Sequence, residues 1–414
     1  MNSNFNYDWI VVGGGVSGIT LAEILTREGK SVLLLEKNNT LASETSKEFH
    51  EWFHSGALHT LAPDNLLTLR YLLGATDDMF KYYSSFERMN LHPTENGVKI
   101  LDTGWFNENL IDFKFKKHLW NPVWLAMISR SSSIIDMIKK HDWLRRRAGS
   151  EYGGSKVKTK HWFSFIPDLL KTKDDFFIKT SPDFTMNSRV LLSDILCAAT
   201  SQGLKVLNDR NVISVSENGA SVTVKTNNEK FQSKNVVVAS PDAISSFFDV
   251  PIKIGYAPMA IVDNLPENTN SFVELDYHLS KCINLLTKGN GIGQAGGITL
   301  NNKSKIDQYL NFIISEHKKR HPSLNHIDSY VGIKKELVSK GESRNYLYHI
   351  NQHSDNVWSV VLGKFTLAFS MAPEFYRRNY HKNPSNIVKP FKIDETTNLV
   401  SETSWSEIYN NKRE

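Results

Sequence analysis

Short apolar runs alternate with amphipathic stretches at the start of the chain, and the alternation predicts strand, helix, strand. Residues 9–12 are a brief apolar run, and residues 16–27 carry apolar side chains at helical spacing before Gly29. Residues 31–35 form a second apolar run that ends at Glu36. The pattern then loosens. Residues 41–59 are rich in Ser, Thr and His and read as a loop, and 63–83 return to helical spacing. After Asn187 the first texture comes back, with a helix over 190–202 stopped by Gly203 and a short strand over 205–207. Residues 212–215 and 221–226 alternate like paired strands, and the apolar run 235–240 reads as a strand buried in a parallel sheet. A third return predicts a strand over 357–363 and a helix over 366–376.

Two stretches between these returns have a different character, about 99–165 and 248–326. In the first, Trp105, Trp120, Trp124, Trp143 and Trp162 are interleaved with Lys114, Lys116, Lys117, Arg145, Arg146 and Arg147, and residues 133–147 predict an amphipathic helix with a basic end. From Lys382 the chain is rich in Asn, Ser, Thr and Pro and reads as a draped or mobile extension. It shows no internal repeat.

The chemistry lies in the first turn. Gly13, Gly15 and Gly18 have the G-x-G-x-x-G spacing between a strand and a helix, and Glu36 closes the next strand. In that setting the first glycine permits the turn and the second lets backbone approach a pyrophosphate. The third lets the helix pack on the strand, and the helix N-terminus at Val16 and Ser17 faces the phosphate charge. Glu36 can accept hydrogen bonds from an adenosine ribose. A second match, Gly291-Ile-Gly-Gln-Ala-Gly296, is followed by strand-like and turn-like sequence rather than a helix, so it reads as a loop or hairpin turn. One dinucleotide site is expected. The fold class is therefore α/β, α+β overall. A Rossmann-like domain is assembled from residues 1–98, 187–247 and 329–381. A substrate domain with a mixed or antiparallel sheet and helices comes from 99–186 and 248–328, and 382–414 form an extension.

Composition narrows the classes. A chain of 414 residues, 40% hydrophobic and 11% aromatic, fits a two-domain globular protein. No apolar run approaches the ~18 residues needed to span a bilayer, and the first residues lack the basic start and apolar core of an export signal. A cytoplasmic location is expected, including the inner membrane face for a peripheral protein. Cys197 and Cys282 have no metal spacing and read as buried thiols in a reducing compartment, with no metal. A net charge of +5 is too small an excess to indicate nucleic acid.

The N-terminal unit with Glu36-Lys37 resembles the FAD-binding start of the D-amino-acid oxidase-like, or DAO-type, FAD-dependent oxidoreductases. Three further stretches match in order. Thr45-Ser46 with Phe53-His-Ser-Gly-Ala-Leu58 resembles the loop beneath the flavin in 2-hydroxyglutarate, glycerol-3-phosphate and dimethylglycine-type dehydrogenases. The stretch from Ser188 to Val212 resembles the segment that returns a strand to the adenine side. Val360-Val-Leu-Gly363-Lys364-Phe365-Thr366 resembles the C-terminal flavin contact. The resemblance covers about half the chain and implies FAD, with these residues binding it. It also implies oxidation of a C–H bond beside nitrogen or oxygen, with hydride passing to flavin and reoxidation by oxygen or another acceptor.

Two departures matter. Ser240-Pro241-Asp242 stands where these relatives have a glycine turn, which keeps monoamine-oxidase-like or desaturase-like flavoenzymes open. Lys334, a point charge, stands where amino-acid oxidases place a carboxylate-binding arginine. A mutase or isomerase acting on a nucleotide-linked sugar is the alternative class, and a flavin kept as a structural element is a third. Candidate catalytic residues are His54, as a base or a covalent flavin link, and Tyr346 and Tyr348, expected on one face of a strand. Thr366 is expected to start a helix aimed at the flavin's pyrimidine edge. The Trp and Lys/Arg block reads as a substrate-domain core with a solvated face, a pocket for an anionic small-molecule substrate, or a surface that docks on an anionic membrane.

Overall fold

The computed structural model describes residues 7–61, 66–94, 97–139, 163, 165–171, 173–276, 281–338, 344–393 and 399–413. Its framework is two eight-stranded sheets. In the first, strand Tyr7–Val12 lies between Val32–Leu35 and Lys230–Val238, and both neighbours run parallel to it. Lys205–Leu207 extends the parallel sheet on one side and Val357–Leu362 on the other, with Tyr348–Ser354 antiparallel at the edge. The hairpin Val212–Asn218 and Ser221–Thr226 is attached to Lys230–Val238.

Alternation along Tyr7–Val12 explains why both faces are covered. Trp9 and Val11 point into a core made with the helices Val16–Arg27, Ser188–Ser201 and Ala368–Tyr380. Ile10 and Val12 point the other way, into a core with Val222, Val224 and Ile244 from the hairpin and the helix Pro241–Phe247. The central strands are buried on both sides, as the unbroken apolar runs predict.

The second sheet is mixed. Its order runs from Asn325–Leu337 through Ile252–Asp263, Ile292–Gly297, Lys281–Gly289, Ser271–Asp276, Phe106–Lys116 and Phe176–Met186 to Trp52–Phe53. All its pairings are antiparallel except that of Ser271–Asp276 with Phe106–Lys116. Strand Asn325–Leu337 carries this sheet past residue 328, so the division expected there falls inside a strand. Asn290 (φ 51°) and Gly291 (φ 72°) are left-handed residues of the tight turn joining Lys281–Gly289 to Ile292–Gly297, and the second glycine motif opens a hairpin strand rather than a helix.

Several expectations are corrected. The stretch 41–59 is not all loop, because Trp52–Phe53 pairs with Phe184 and Thr185 and carries the chain from the first sheet into the second. Pro122–Ile138 is a helix that begins well before 133, capped by the Asn121 side chain, which accepts the Trp124 N–H. Trp143, Arg145, Arg146, Arg147 and Trp162 lie outside the described residues. Trp105 and Trp124 are core residues, and Trp120 is 65% exposed. The last stretch is draped rather than loose: it makes a parallel bridge between Leu41 and Val400 and then a helix, Ser404–Asn411. Cys197 and Cys282 are free thiols and only half-buried. No helix of the described residues is long and apolar enough to cross a membrane.

Candidate functional site

The turn after Tyr7–Val12 is built by close approach. Gly13 has φ 103°, and a Cβ there would lie 2.9 Å from the Ser240 Cβ. A Cβ on Gly18 would lie 1.8 Å from the Gly13 carbonyl oxygen, so only glycine lets the helix start this close to the strand. The Gly14 N–H donates to Glu36 Oε2 at 2.7 Å, and the Asn38 N–H donates to Oε1 at 3.0 Å. At the helix start the Val16 N–H donates to Ser46 Oγ at 3.0 Å, which ties the following loop to the turn.

These residues open onto a cavity of about 490 Å³ that runs between the two sheets. Gly13, Gly15, Val16, Ser17, Glu36, Lys37, Thr45, Ser46 and Val212 line one length of it, and His54, Gly363, Lys364 and Phe365 line the other. On its wall Lys37 and Lys335 are bound to Glu44 and Asp242. Lys334 and Lys364 also line it; both are half-buried, and among the described residues neither has an ion-pair partner. The Lys334 ammonium sits 5.1 Å from the centre of the Phe49 ring, and the Lys364 ammonium 5.1 Å from that of Tyr346. Burial, then the charge of Arg344, pushes Lys364 down to about 8. Burial, then the charges of Lys364 and Arg344, pushes Lys334 well below its ordinary value. Arg344 is itself paired with Glu336, at 2.6 and 3.0 Å.

Four residues singled out from the sequence are not on the cavity wall. Gly18 packs behind the turn. Thr366 is fully buried in a 3-10 turn, Phe365–Leu367, ahead of the helix Ala368–Tyr380, and its Oγ1 accepts the His54 N–H at 3.0 Å. The helix therefore starts later than expected, and Thr366 ties the strand end to the loop that carries His54 rather than facing the cavity. Tyr346 precedes the strand Tyr348–Ser354, so the two tyrosines do not share a strand face: Tyr346 packs on His59 at 4.8 Å and Tyr348 on Tyr71 at 5.3 Å. Lys114, Lys116 and Lys117 also lie off the wall; Lys116 is paired with Asp175.

Other wall and near-wall residues carry no local sequence signal. His50 and Trp52 line the cavity, and burial, then the charge of Lys288, pushes His50 down to about 3. Asp183 stands behind His54, brought there by the pairing of Phe184 with Phe53. Nothing in the sequence places a residue of one strand beside a loop more than a hundred positions earlier.

The donor set fits a dinucleotide. Backbone at Gly13–Ser17 faces the cavity, no acidic residue stands in the first turn of the Val16–Arg27 helix, and the Glu36 carboxylate is held at the far edge of the turn. A family model described as FAD dependent oxidoreductase, DAO, matches residues 8–333. The chain belongs to this family. FAD is accordingly its cofactor, and it is an oxidoreductase. Among solved structures, this DAO-family chain is similar to L-α-glycerophosphate oxidase from Mycoplasma pneumoniae with FAD bound. That likeness has a TM-score of 0.61 and 16% identity and covers 96% of this chain and 99% of that one. It is also similar to glycine oxidase from Geobacillus kaustophilus, with a TM-score of 0.62 and 12% identity, covering 94% and 98%. At such identities the likeness shows the fold. Two shorter sequence likenesses reach higher identity. UDP-galactopyranose mutase of Mycoplasma pneumoniae is 39% identical over 74 residues, 17% of this chain and 18% of that protein. Mitochondrial L-2-hydroxyglutarate dehydrogenase of Arabidopsis thaliana is 30% identical over 80 residues, 19% and 16%. The chain thus matches less than a fifth of the length of either relative.

Proposed function

We propose that this DAO-family oxidoreductase oxidises a small anionic substrate at a carbon that bears a hydroxyl or amino group. The observation that carries this reading is the pair of half-buried lysines, Lys334 and Lys364, which line the cavity and among the described residues have no ion-pair partner. A buried charge left unpaired is costly, and an anion seated between the two relieves that cost. Bound FAD supplies the two-electron acceptor that takes a hydride from the substrate carbon. Gly13, Gly15, Val16, Ser17 and Glu36 are proposed to hold its pyrophosphate and ribose. Lys37, Thr45, Ser46, Val212, Gly363, Lys364 and Phe365 are proposed to complete the wall.

The chain then has two tasks at the substrate. Lys334 and Lys364 bind the anionic group and set the orientation of the reacting carbon. His54 accepts the proton released from the heteroatom as the carbon–oxygen or carbon–nitrogen double bond forms. Its imidazole starts neutral, because burial and then the charges of Lys364 and Lys334 push its pKa well down. The mutase likeness spans 17% of the chain and gives no separate support to an isomerase.

Anaerobic titration of the purified protein tests the reading. L-α-glycerophosphate and L-2-hydroxyglutarate form the anionic panel, with glycerol and benzylamine as uncharged and cationic controls. Bleaching of the flavin absorbance by at least one anion and by neither control is expected. Bleaching by benzylamine or glycerol as readily as by any anion overturns it.

A further inference from the structure

Asp183 is a fully buried carboxylate whose side-chain hydrogen-bond and ion-pair partners among the described residues are Trp52, His54 and Ser55. It lies in strand Phe176–Met186, one residue from the pairing of Phe184 with Phe53. The Ser55 N–H donates to its Oδ1 at 2.9 Å, and the Ser55 hydroxyl donates to the same oxygen. The Trp52 indole N–H donates to Oδ2 at 2.8 Å. That same Oδ2 stands 3.6 Å from His54 Nδ1. Nδ1 is the buried ring nitrogen and has no hydrogen-bond partner among the described residues, whereas His54 as a whole lies on the cavity wall. Trp52 stacks on the imidazole, with ring centres 4.3 Å apart and planes 30° apart. One face of the ring is therefore covered by Trp52, and Nδ1 is turned toward Asp183 at 3.6 Å, which leaves Nε2 as the nitrogen on the cavity side.

We infer that Asp183 is a positioning residue that holds His54 as its Nδ1–H tautomer, leaving the Nε2 lone pair to take a proton from the bound substrate. This deepens the proposed function and rests on its assignment of His54 as the base. Charge balance supports it. When Nε2 takes the proton, an imidazolium forms among Lys364 from the turn after strand Val357–Leu362, Lys334 from the edge strand of the second sheet, and His50 and His59 from the same loop. All of these are cationic or neutral. Asp183 is the carboxylate in contact with the ring, so it alone offsets the new charge directly. Burial pushes its own pKa up to about 6, against the hydrogen bonds from Ser55 and Trp52, so it is ionised at pH 7.5. The proton acceptor on a histidine is set by what its other nitrogen donates to.

The test is ¹⁵N NMR of the holoprotein labelled at histidine, with His54→Asn used to assign the resonance. At pH 7.5 the wild type is expected to show His54 as the neutral Nδ1–H tautomer. Asp183→Asn, whose amide can donate to Nδ1, is expected to switch it to Nε2–H. A wild-type Nε2–H tautomer overturns the inference, as does a tautomer that Asp183→Asn leaves unchanged. The wild-type spectrum decides even if that variant fails to fold. With whichever panel anion bleaches the flavin, Asp183→Asn is expected to slow reduction by roughly 10²-fold without weakening half-saturation. If instead His54→Asn reduces flavin at the wild-type rate, the base assignment fails, while the tautomer result stands separately.

Discussion

The Lys288 ammonium donates to the Glu51 carboxylate at 2.9 Å, and both side chains are buried, 6% and 8% exposed. This pair joins the cofactor loop to the second sheet. Glu51 holds a left-handed backbone (φ 57°), a strained geometry for a side chain of this kind. What fixes it is a ring of donors: Ser188 N–H and hydroxyl on Oε1, and Lys288 and the Trp405 indole on Oε2. Lys288→Met leaves the carboxylate buried and unpaired, and is expected to cost about 3–5 kcal/mol in denaturant unfolding. The double variant Glu51→Gln with Lys288→Met is expected to be less destabilised than Lys288→Met alone. Burial acts to raise the Glu51 pKa, but Lys288 and the hydrogen bonds from Lys288, Trp405 and Ser188 bring it below its ordinary 4.5. The carboxylate's contribution is therefore complete above pH 4.5 and is lost as pH falls through the lower folded value.

Gly18→Ala tests the turn itself. A Cβ 1.8 Å from the Gly13 oxygen forces the helix away from the strand, at about 1–3 kcal/mol of overpacking. The displaced helix also takes its N-terminal amides off the phosphate site. The expected outcome is protein that purifies with a much lower ratio of flavin to protein absorbance than wild type, at a modestly reduced melting temperature. Full flavin content would show that the contact is relieved without moving the turn.

Glu36 and Lys37 are neighbours on the wall, and their expected contributions differ. Glu36 is 7% exposed and holds two backbone amides in place. Lys37 is more than a third exposed and is already bound to Glu44 and Asp242. Glu36→Ala is expected to weaken FAD binding by about 10²-fold, since charged hydrogen bonds are lost at a partly dry site. Lys37→Ala is expected to change it by about threefold or less, the usual scale for an exposed ion pair. Titration of apoprotein with FAD, followed by fluorescence quenching, measures both.

The contrast between legible and hidden features follows from how local each cause is. The helix Val16–Arg27 and strand Lys205–Leu207 match their predicted bounds, because each is bracketed by a glycine at positive φ, Gly29 at 72° and Gly203 at 100°. Only the end of strand Lys230–Val238 is legible, because Val236, Val237 and Val238 are all buried, which a doubly covered strand requires, whereas its first residues are largely exposed and carry no apolar run. The helix Ser404–Asn411 is hidden by a polar composition, since its docking rests on Trp405 reaching Glu51 and Lys47 reaching Glu407. Asp183 is hidden for a different reason. Its meaning comes from a two-residue strand pairing that no periodicity announces. Alternation misleads at Tyr346 and Tyr348, because the strand that would put them on one face starts only at the second of them.

Lys364 gives the cavity a pH signature. Burial, then the nearby charge of Arg344, lowers its pKa from 10.5 to about 8, so its ammonium begins to lose its proton close to neutral pH. Only the ammonium attracts an anion, and the affinity of an anionic probe follows the fraction protonated in the free site. With oxalate as the probe, read by its perturbation of the flavin spectrum, Kd is expected to be flat below about pH 8. Above it, Kd is expected to rise by up to about tenfold per pH unit. The sign for stability runs the other way. Between about 8 and 10.5 the unfolded chain holds more protons at this site than the folded one, so the burden of the buried charge eases as pH rises. Lys364→Met carries no such charge. It is expected to bind oxalate weakly with no break near pH 8, and to show a stability advantage over wild type that shrinks between pH 8 and 10.5. A break that persists in Lys364→Met would move the titrating group elsewhere on the wall, with Lys334 the next to replace.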